Sequence, residues 1–130
     1  MPTFICNKLG RDKGLETFKK DGITPHYHLV TGKKLQEALI CKLLEECNEV
    51  QEADNVQEMI AELADVLAVI NGLCKAYGIS LQEVIEVQNK KYQERGGFEK
   101  GLYIESLEMD ENNPKIQHFR KSPHKYPEIK

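Results

Sequence analysis

The sequence contains no tryptophan, few other aromatic residues and no long apolar run. A helix that crosses a bilayer needs about 20 consecutive apolar residues. Charged or polar residues interrupt every apolar stretch of this chain well before that length. The first eight residues, MPTFICNK, also lack the apolar core of a secretory signal peptide. We therefore expect a soluble, cytoplasmic protein without a membrane partner.

Cysteine occurs four times, but never with the CxxC or CxxH spacing of a zinc site or a redox pair. Cys41, Cys47 and Cys74 fall among apolar residues of expected helices, where cysteine is usually a buried free thiol. His26 and His28 alternate in a loop that follows a proline, which is more typical of solvent-facing side chains than of metal ligands. The sequence thus favours no transition-metal site.

The charges are segregated along a chain whose 130 residues are enough for one globular domain. Residues 34–94 hold twelve acids against five bases. The flanks are more basic, with six bases against three acids in residues 1–33 and seven against six in residues 95–130. An acidic centre argues against duplex nucleic acid as the main partner.

Three stretches repeat apolar residues at the helical period of 3.6 residues. They predict long helices at residues 34–53, 56–77 and 80–94, preceded by a short helix at 15–20. The expected fold is all-α, an antiparallel bundle of three long helices plus the short N-terminal helix. Such helices present broad apolar faces, so we expect oligomerisation, as a homodimer or a larger homo-oligomer, to complete the core.

Local signals mark where the helices end and where the domain ends. Gly78 fits a helix C-terminus, and Ser80 with Glu83 three residues later is typical of a capping box that opens the next helix. The last part of the chain is polar and contains several prolines, which interrupt regular structure. We therefore predict a domain at residues 1–108 and a C-terminal tail at residues 109–130.

Two pairs of carboxylates stand on consecutive expected helices. Glu46 and Glu49 share one helical face, as do Glu62 and Asp65, because residues three apart are neighbours on a helix. A helical wheel puts Glu46 inside the apolar arc of its helix. Carboxylates crowded beside a core repel one another unless a cation binds them, and ligands that are all oxygen favour magnesium or manganese. Either pair alone is ordinary on a solvated helix surface; together they predict a metal site.

The third long helix carries two cations, Lys91 and Arg95, on the side of its apolar residues. A polyphosphate is one partner for them, with Arg95 contacting it through a planar fork and Lys91 as a point charge. The alternative is that their aliphatic stems cover the core while their charged ends reach water.

The acidic motif resembles that of the all-α nucleotide pyrophosphohydrolases of the MazG and phosphoribosyl-ATP pyrophosphohydrolase type. That motif is EExxE followed by ExxD, and here it stands as EECNE at residues 45–49 and ELAD at residues 62–65. NKLGRDK at residues 7–13 is similar to the Lys-Leu-Val-Arg-Asp-Lys start of a bacterial branch, and KKYQERGGF at residues 90–98 also matches. The resemblance spans most of residues 7–107.

The resemblance implies a magnesium-dependent hydrolase that cleaves a nucleoside triphosphate between its α- and β-phosphates, giving monophosphate and pyrophosphate, with house-cleaning as one role. Its implied metal ligands are Glu46, Glu49, Glu62 and Asp65. The acids implied in catalysis are Glu45, Glu46 and Glu49. The implied phosphate-binding cations are Lys8, Arg11, Lys13, Lys91 and Arg95.

Two departures from the family pattern leave the substrate open. Gly10 replaces an apolar residue, and Asn71 stands where many relatives have aspartate, so the choice of nucleotide and a second metal ion are undecided. The alternatives are a phosphoribosyl-ATP-type biosynthetic hydrolase and a non-catalytic helical module that binds a nucleotide or a partner. Because all four carboxylates are present, the sequence favours the enzyme.

Overall fold

The protein is all-helical over residues 1–129, the part of the chain that the computed structural model describes. Its helices are α1 (Gly14–Lys20), α2 (Gly32–Glu52), α3 (Val56–Tyr77), α4 (Leu81–Arg95) and α5 (Ile116–Arg120). The predicted all-α class is confirmed, and the three long helices lie within two residues of their expected bounds. No helix in this described range is long and apolar enough to span a membrane.

Helices α2 and α3 pack against each other. The short turn between them makes them antiparallel. Contacts at the ends farthest from this turn are consistent with that arrangement. Near the start of α2, Gln36 Nε2 donates a hydrogen bond to the carbonyl of Ala76 near the end of α3, at 3.2 Å. Gly72 permits the close approach, because a Cβ at this position would lie 3.2 Å from Leu39 Cδ2.

Capping residues mark both ends of α3 and the start of α4. The side chain of Asn55 accepts a hydrogen bond from the amide of Glu58 at 2.8 Å, which caps the first turn of α3. Gly78 ends the helix with a φ of 68°, the left-handed conformation that glycine adopts without strain. Ser80 Oγ then accepts from the amide of Glu83 at 3.1 Å, as the predicted capping box requires.

The core of a single chain is small. Among residues 1–129, the buried apolar side chains of α2 and α3 are Leu39, Val69 and Cys74, and α5 has one of its own, Ile116. Leu63 and Leu67 on α3 are 52% and 55% exposed, and α4 makes no packing contact with α2 or α3 in the described part of the chain. The structure therefore has a packed α2–α3 pair, and the third helix of the bundle and a second subunit remain predictions.

The cysteines depart in part from expectation. All four are free, and Cys74 is buried as predicted, but Cys41 and Cys47 are exposed. Both lie on faces of α2 that α3 does not cover. Their predicted burial is wrong for the single chain because one neighbouring helix shields only part of the circumference of α2.

The chain divides into two compact units, Met1–Glu94 and Arg95–Lys130. The second contains α5, although its prolines led us to expect no regular structure there. The rings of Phe119 and Tyr126 pack edge to face with centroids 4.9 Å apart. Phe119 lies in α5 and Tyr126 lies after it, so this contact packs the following residues of the chain against the helix. The predicted domain boundary after residue 108 remains a prediction.

We expect the protein to be at least a dimer, because the exposed apolar face of α3 needs a cover that the single chain lacks. Leu67→Asp would place a charge in that cover and should raise the dissociation constant of a dimer by about tenfold or more. Gln57→Asp adds the same charge at an exposed polar position of α3 and should leave it unchanged. Light scattering that finds the parent protein at 14.9 kDa at micromolar concentration would contradict the prediction.

Candidate metal and phosphate site

Three carboxylates converge on the packed pair of helices. Glu46 on α2 and Glu62 and Asp65 on α3 offer oxygens that all lie within 4.8 Å of one another. Glu46 and Glu62 are at similar distances from the turn between the helices, so antiparallel packing brings them level. Glu46 is only 9% exposed, as its place in the apolar arc predicted, while the other two are half-buried. The structure thus brings together three of the four expected ligands.

Glu62 is the least compensated member of this group. Burial and then the negative charges of Glu49, Asp65 and Glu46 raise its pKa above the ordinary value. Among residues 1–129, no lysine or arginine nitrogen lies within salt-bridge distance of its carboxylate. Its charged form is therefore disfavoured, and a bound cation would relieve this excess of negative charge.

Glu49, the fourth expected ligand, lies outside the group of three. Its side chain is exposed, although its charge is the leading electrostatic cause of the raised pKa of Glu62. It follows Glu46 by one helical turn, as the sequence predicted. Glu49 therefore borders the group without belonging to it.

Glu45 is held by two lysines. Its Oε1 lies 3.2 Å from the Nζ of Lys8 and 3.2 Å from the Nζ of Lys42. Burial alone would raise the pKa of Glu45, but the hydrogen bonds from these two lysines outweigh it and the pKa is lowered. Lys42 also lies 3.4 Å from Glu46 Oε1. Lys42 was not among the site residues predicted from the sequence, although its spacing of three and four residues from the two glutamates is the signal for such contacts.

The segment before α1 brings two further cations to the carboxylates. Lys8 pairs with Glu45, and the hydrogen bond that its ammonium group donates to this carboxylate raises the pKa of Lys8. Arg11 donates from its NH2 nitrogen to Asp65 Oδ1 at 2.7 Å. Lys13, the third expected phosphate-binding residue of this segment, has no carboxylate partner within residues 1–129. Of these three cations, Lys8 and Arg11 therefore lie at the site.

The group fits a hard divalent cation. Every candidate ligand atom is a carboxylate oxygen, the type that magnesium and manganese prefer. His26 and His28 are exposed and belong to no metal-binding group of the described residues. The candidate ligands are therefore Glu46, Glu62 and Asp65, with Glu49 one turn away.

Residues 34–97 match the sequence model of a family described as the MazG nucleotide pyrophosphohydrolase domain. These residues, just under half of the chain, are similar to that family, and we call them the MazG segment. The resemblance that the acidic motif indicated is therefore confirmed. No curated protein and no solved structure matches the chain.

The MazG segment contains the carboxylates but not all of the expected cations. It spans α2, α3 and α4, so Lys91 and Arg95 lie within it, whereas the segment that carries Lys8 and Arg11 precedes it. Lys91 is exposed, and its helix does not contact α2 or α3 in the described single chain, so the structure does not bring Lys91 to the carboxylates. Arg95 is also exposed and begins the second compact unit.

We expect Glu62→Gln to stabilise the metal-free protein at neutral pH. A carboxyl group whose pKa is raised by folding destabilises the fold above that pKa, and the penalty disappears as the pH falls through it to the ordinary value of 4.5. In EDTA the variant should therefore melt above the parent at pH 7, and the difference should vanish towards pH 4. Added magnesium should stabilise the parent more than the variant.

Glu37→Gln is the matched control, because Glu37 is an exposed glutamate of α2 outside the carboxylate group. Its melting temperature should follow the parent at every pH and metal concentration. A Glu62→Gln protein that melts below the parent in EDTA at pH 7 would contradict the assignment of Glu62 as an uncompensated ligand.

Proposed function

We propose that the protein is a magnesium-dependent nucleotide pyrophosphohydrolase. It hydrolyses a nucleoside triphosphate between the α- and β-phosphates and releases a monophosphate and pyrophosphate. The observation that carries this proposal is the convergence of Glu46, Glu62 and Asp65 within a MazG segment. Manganese, which accepts the same oxygen ligands, would substitute for magnesium.

Glu46, Glu62 and Asp65 would hold the cation through their carboxylate oxygens. When bound, the metal neutralises phosphate oxygens and polarises the phosphorus for attack. Glu46 and Asp65 have basic side chains within ion-pair distance that limit their mutual repulsion, whereas Glu62 has none among the described residues. Neutralisation by a divalent ion would therefore favour the ionised form of Glu62 most.

The other two acids, Glu45 and Glu49, differ in how readily they could accept a proton. Glu45 accepts hydrogen bonds from two lysines and has a lowered pKa, so its carboxylate is a weak proton acceptor. Glu49 is exposed and outside the group of three. We therefore assign Glu49 as the general base, whose carboxylate takes the proton from the attacking water. The water oxygen bonds to phosphorus, and the bond from that phosphorus to the oxygen bridging the α- and β-phosphates breaks.

Cations from two parts of the chain are available for the phosphates. Lys8 and Arg11 already lie at the carboxylates, and Lys13 follows in the same segment. Lys91 and Arg95 on α4 remain proposed phosphate ligands. The helix that carries them would reach the site through a second subunit or a closed bundle.

The direct test is pyrophosphate release from a panel of nucleoside triphosphates and phosphoribosyl-ATP. We expect release with magnesium, none in EDTA, and restoration by manganese. Glu62→Gln should lower the rate by about a hundredfold or more, because it removes a metal ligand, while Glu37→Gln should retain the rate of the parent. Metal-dependent nucleotide binding without turnover would instead identify a non-catalytic module.

A second test separates a base from a ligand. If Glu49 accepts the proton, Glu49→Gln should lower kcat by about 10²- to 10⁴-fold and leave magnesium affinity within about twofold of the parent. Glu45→Gln should retain most of the activity. A large loss of magnesium affinity in Glu49→Gln, measured by calorimetry, would make Glu49 the fourth metal ligand that the sequence predicted and refute its assignment as the base.

A further inference from the structure

Arg11 contacts a carboxylate that is also a candidate metal ligand. Its guanidinium nitrogen is 2.7 Å from Asp65 Oδ1, and Asp65 belongs to the group with Glu46 and Glu62. The side chain of Arg11 is 68% exposed and that of Asp65 39% exposed, so the pair lies at the open edge of the group. The metal-free carboxylates thus have a cation from the chain itself at the place where a divalent ion would bind.

The two cations cannot share this carboxylate at full strength. A magnesium ion bound at about 2.1 Å from an oxygen of Asp65 would draw electron density from the whole carboxylate and so weaken its hydrogen bond with the guanidinium group. It would also place two positive charges beside the positive charge of Arg11. The existing ion pair is exposed and therefore weak, which makes it easy to displace.

We propose that Arg11 and the divalent cation compete for Asp65, so that metal binding releases Arg11 to contact the phosphates of the nucleotide. This inference rests on the proposed function. Without the metal, Arg11 is the cation paired with Asp65, and metal binding would free it to become a phosphate ligand. Arg11 suits both states, because its planar fork matches carboxylate and phosphate oxygens alike.

The backbone around Arg11 is compatible with such a change. Residues 1–13 form no helix, and Arg11 stands just before α1, with its carbonyl accepting a hydrogen bond from the amide of Gly14 at 2.9 Å. Lys8 pairs with Glu45, which is outside the group of three, so this second contact can persist when the metal binds. The side chain of Arg11 can therefore turn away while the segment stays attached.

The opposite role for Arg11 makes an opposite prediction. If Arg11 instead orients Asp65 as a ligand, its removal should weaken metal binding, as loss of an outer partner of a ligand usually does. If the two cations compete, its removal should strengthen metal binding. The sign of the change in affinity therefore decides between the two roles.

The first experiment is calorimetric titration of the metal-free full-length protein with magnesium chloride. Arg11→Ala should bind magnesium about two- to fivefold more tightly than the parent, the equilibrium weight of an exposed ion pair. Arg11→Lys should lie between them. Lys13→Ala removes the same charge from the same segment and should stay within about twofold of the parent, because Lys13 has no carboxylate partner among residues 1–129. Weaker binding in Arg11→Ala, or an equal gain in both alanine variants, would overturn the competition.

The second experiment measures binding of inorganic triphosphate at saturating magnesium. Arg11→Ala should bind this probe about tenfold more weakly than the parent, since it loses a charge-assisted contact. Unchanged binding would overturn the release to phosphate. Neither measurement requires turnover, so failure of the protein to hydrolyse any nucleotide refutes the proposed function alone. A parent protein that binds no magnesium would overturn both proposals.

Discussion

Repulsion among carboxylates is the constraint on which this structure depends. Packing of α2 against α3 brings Glu46, Glu62 and Asp65 within 4.8 Å of one another, an arrangement that is unfavourable without positive charge. Basic side chains of the protein balance only part of the negative charge. Lys42 lies by Glu46 and Arg11 by Asp65, while Glu62 has a raised pKa and no such partner in the described residues. The uncompensated part of the charge is what a divalent cation would neutralise.

The helix pair can impose this crowding because contacts away from the carboxylates also hold the two helices together. At the far end from the turn, Gly72 allows Leu39 to approach closely, and Gln36 bonds to the carbonyl of Ala76. These contacts fix the register of α2 against α3, and the register fixes which carboxylates face each other. The small core of one chain leaves little other stabilisation, so assembly and metal binding would both favour the same folded pair.

Sequence periodicity was sufficient for the parts of the structure that depend on local spacing. It predicted α2, α3 and α4, the cap at Gly78 and the burial of Glu46, because a helix converts spacing directly into direction. It did not predict the contacts of Lys8 and Arg11, which are 37 and 54 residues from their partners. It also missed α5. Such features depend on contacts outside the helical period, so a helical wheel carries no information about them.

The boundaries of the MazG match separate the carboxylates of the site from two of its cations. The carboxylates and Lys42 lie inside residues 34–97, whereas Lys8 and Arg11 approach them from outside this segment. A metal site built from two helices needs few other residues, and oxygen ligands alone carry no information about the base of a nucleotide. Under the proposed function, residues other than the carboxylates must therefore contact the base of the nucleotide. Lys8 and Arg11 attach the N-terminal segment to the carboxylates, a position from which its residues would be able to add that selectivity.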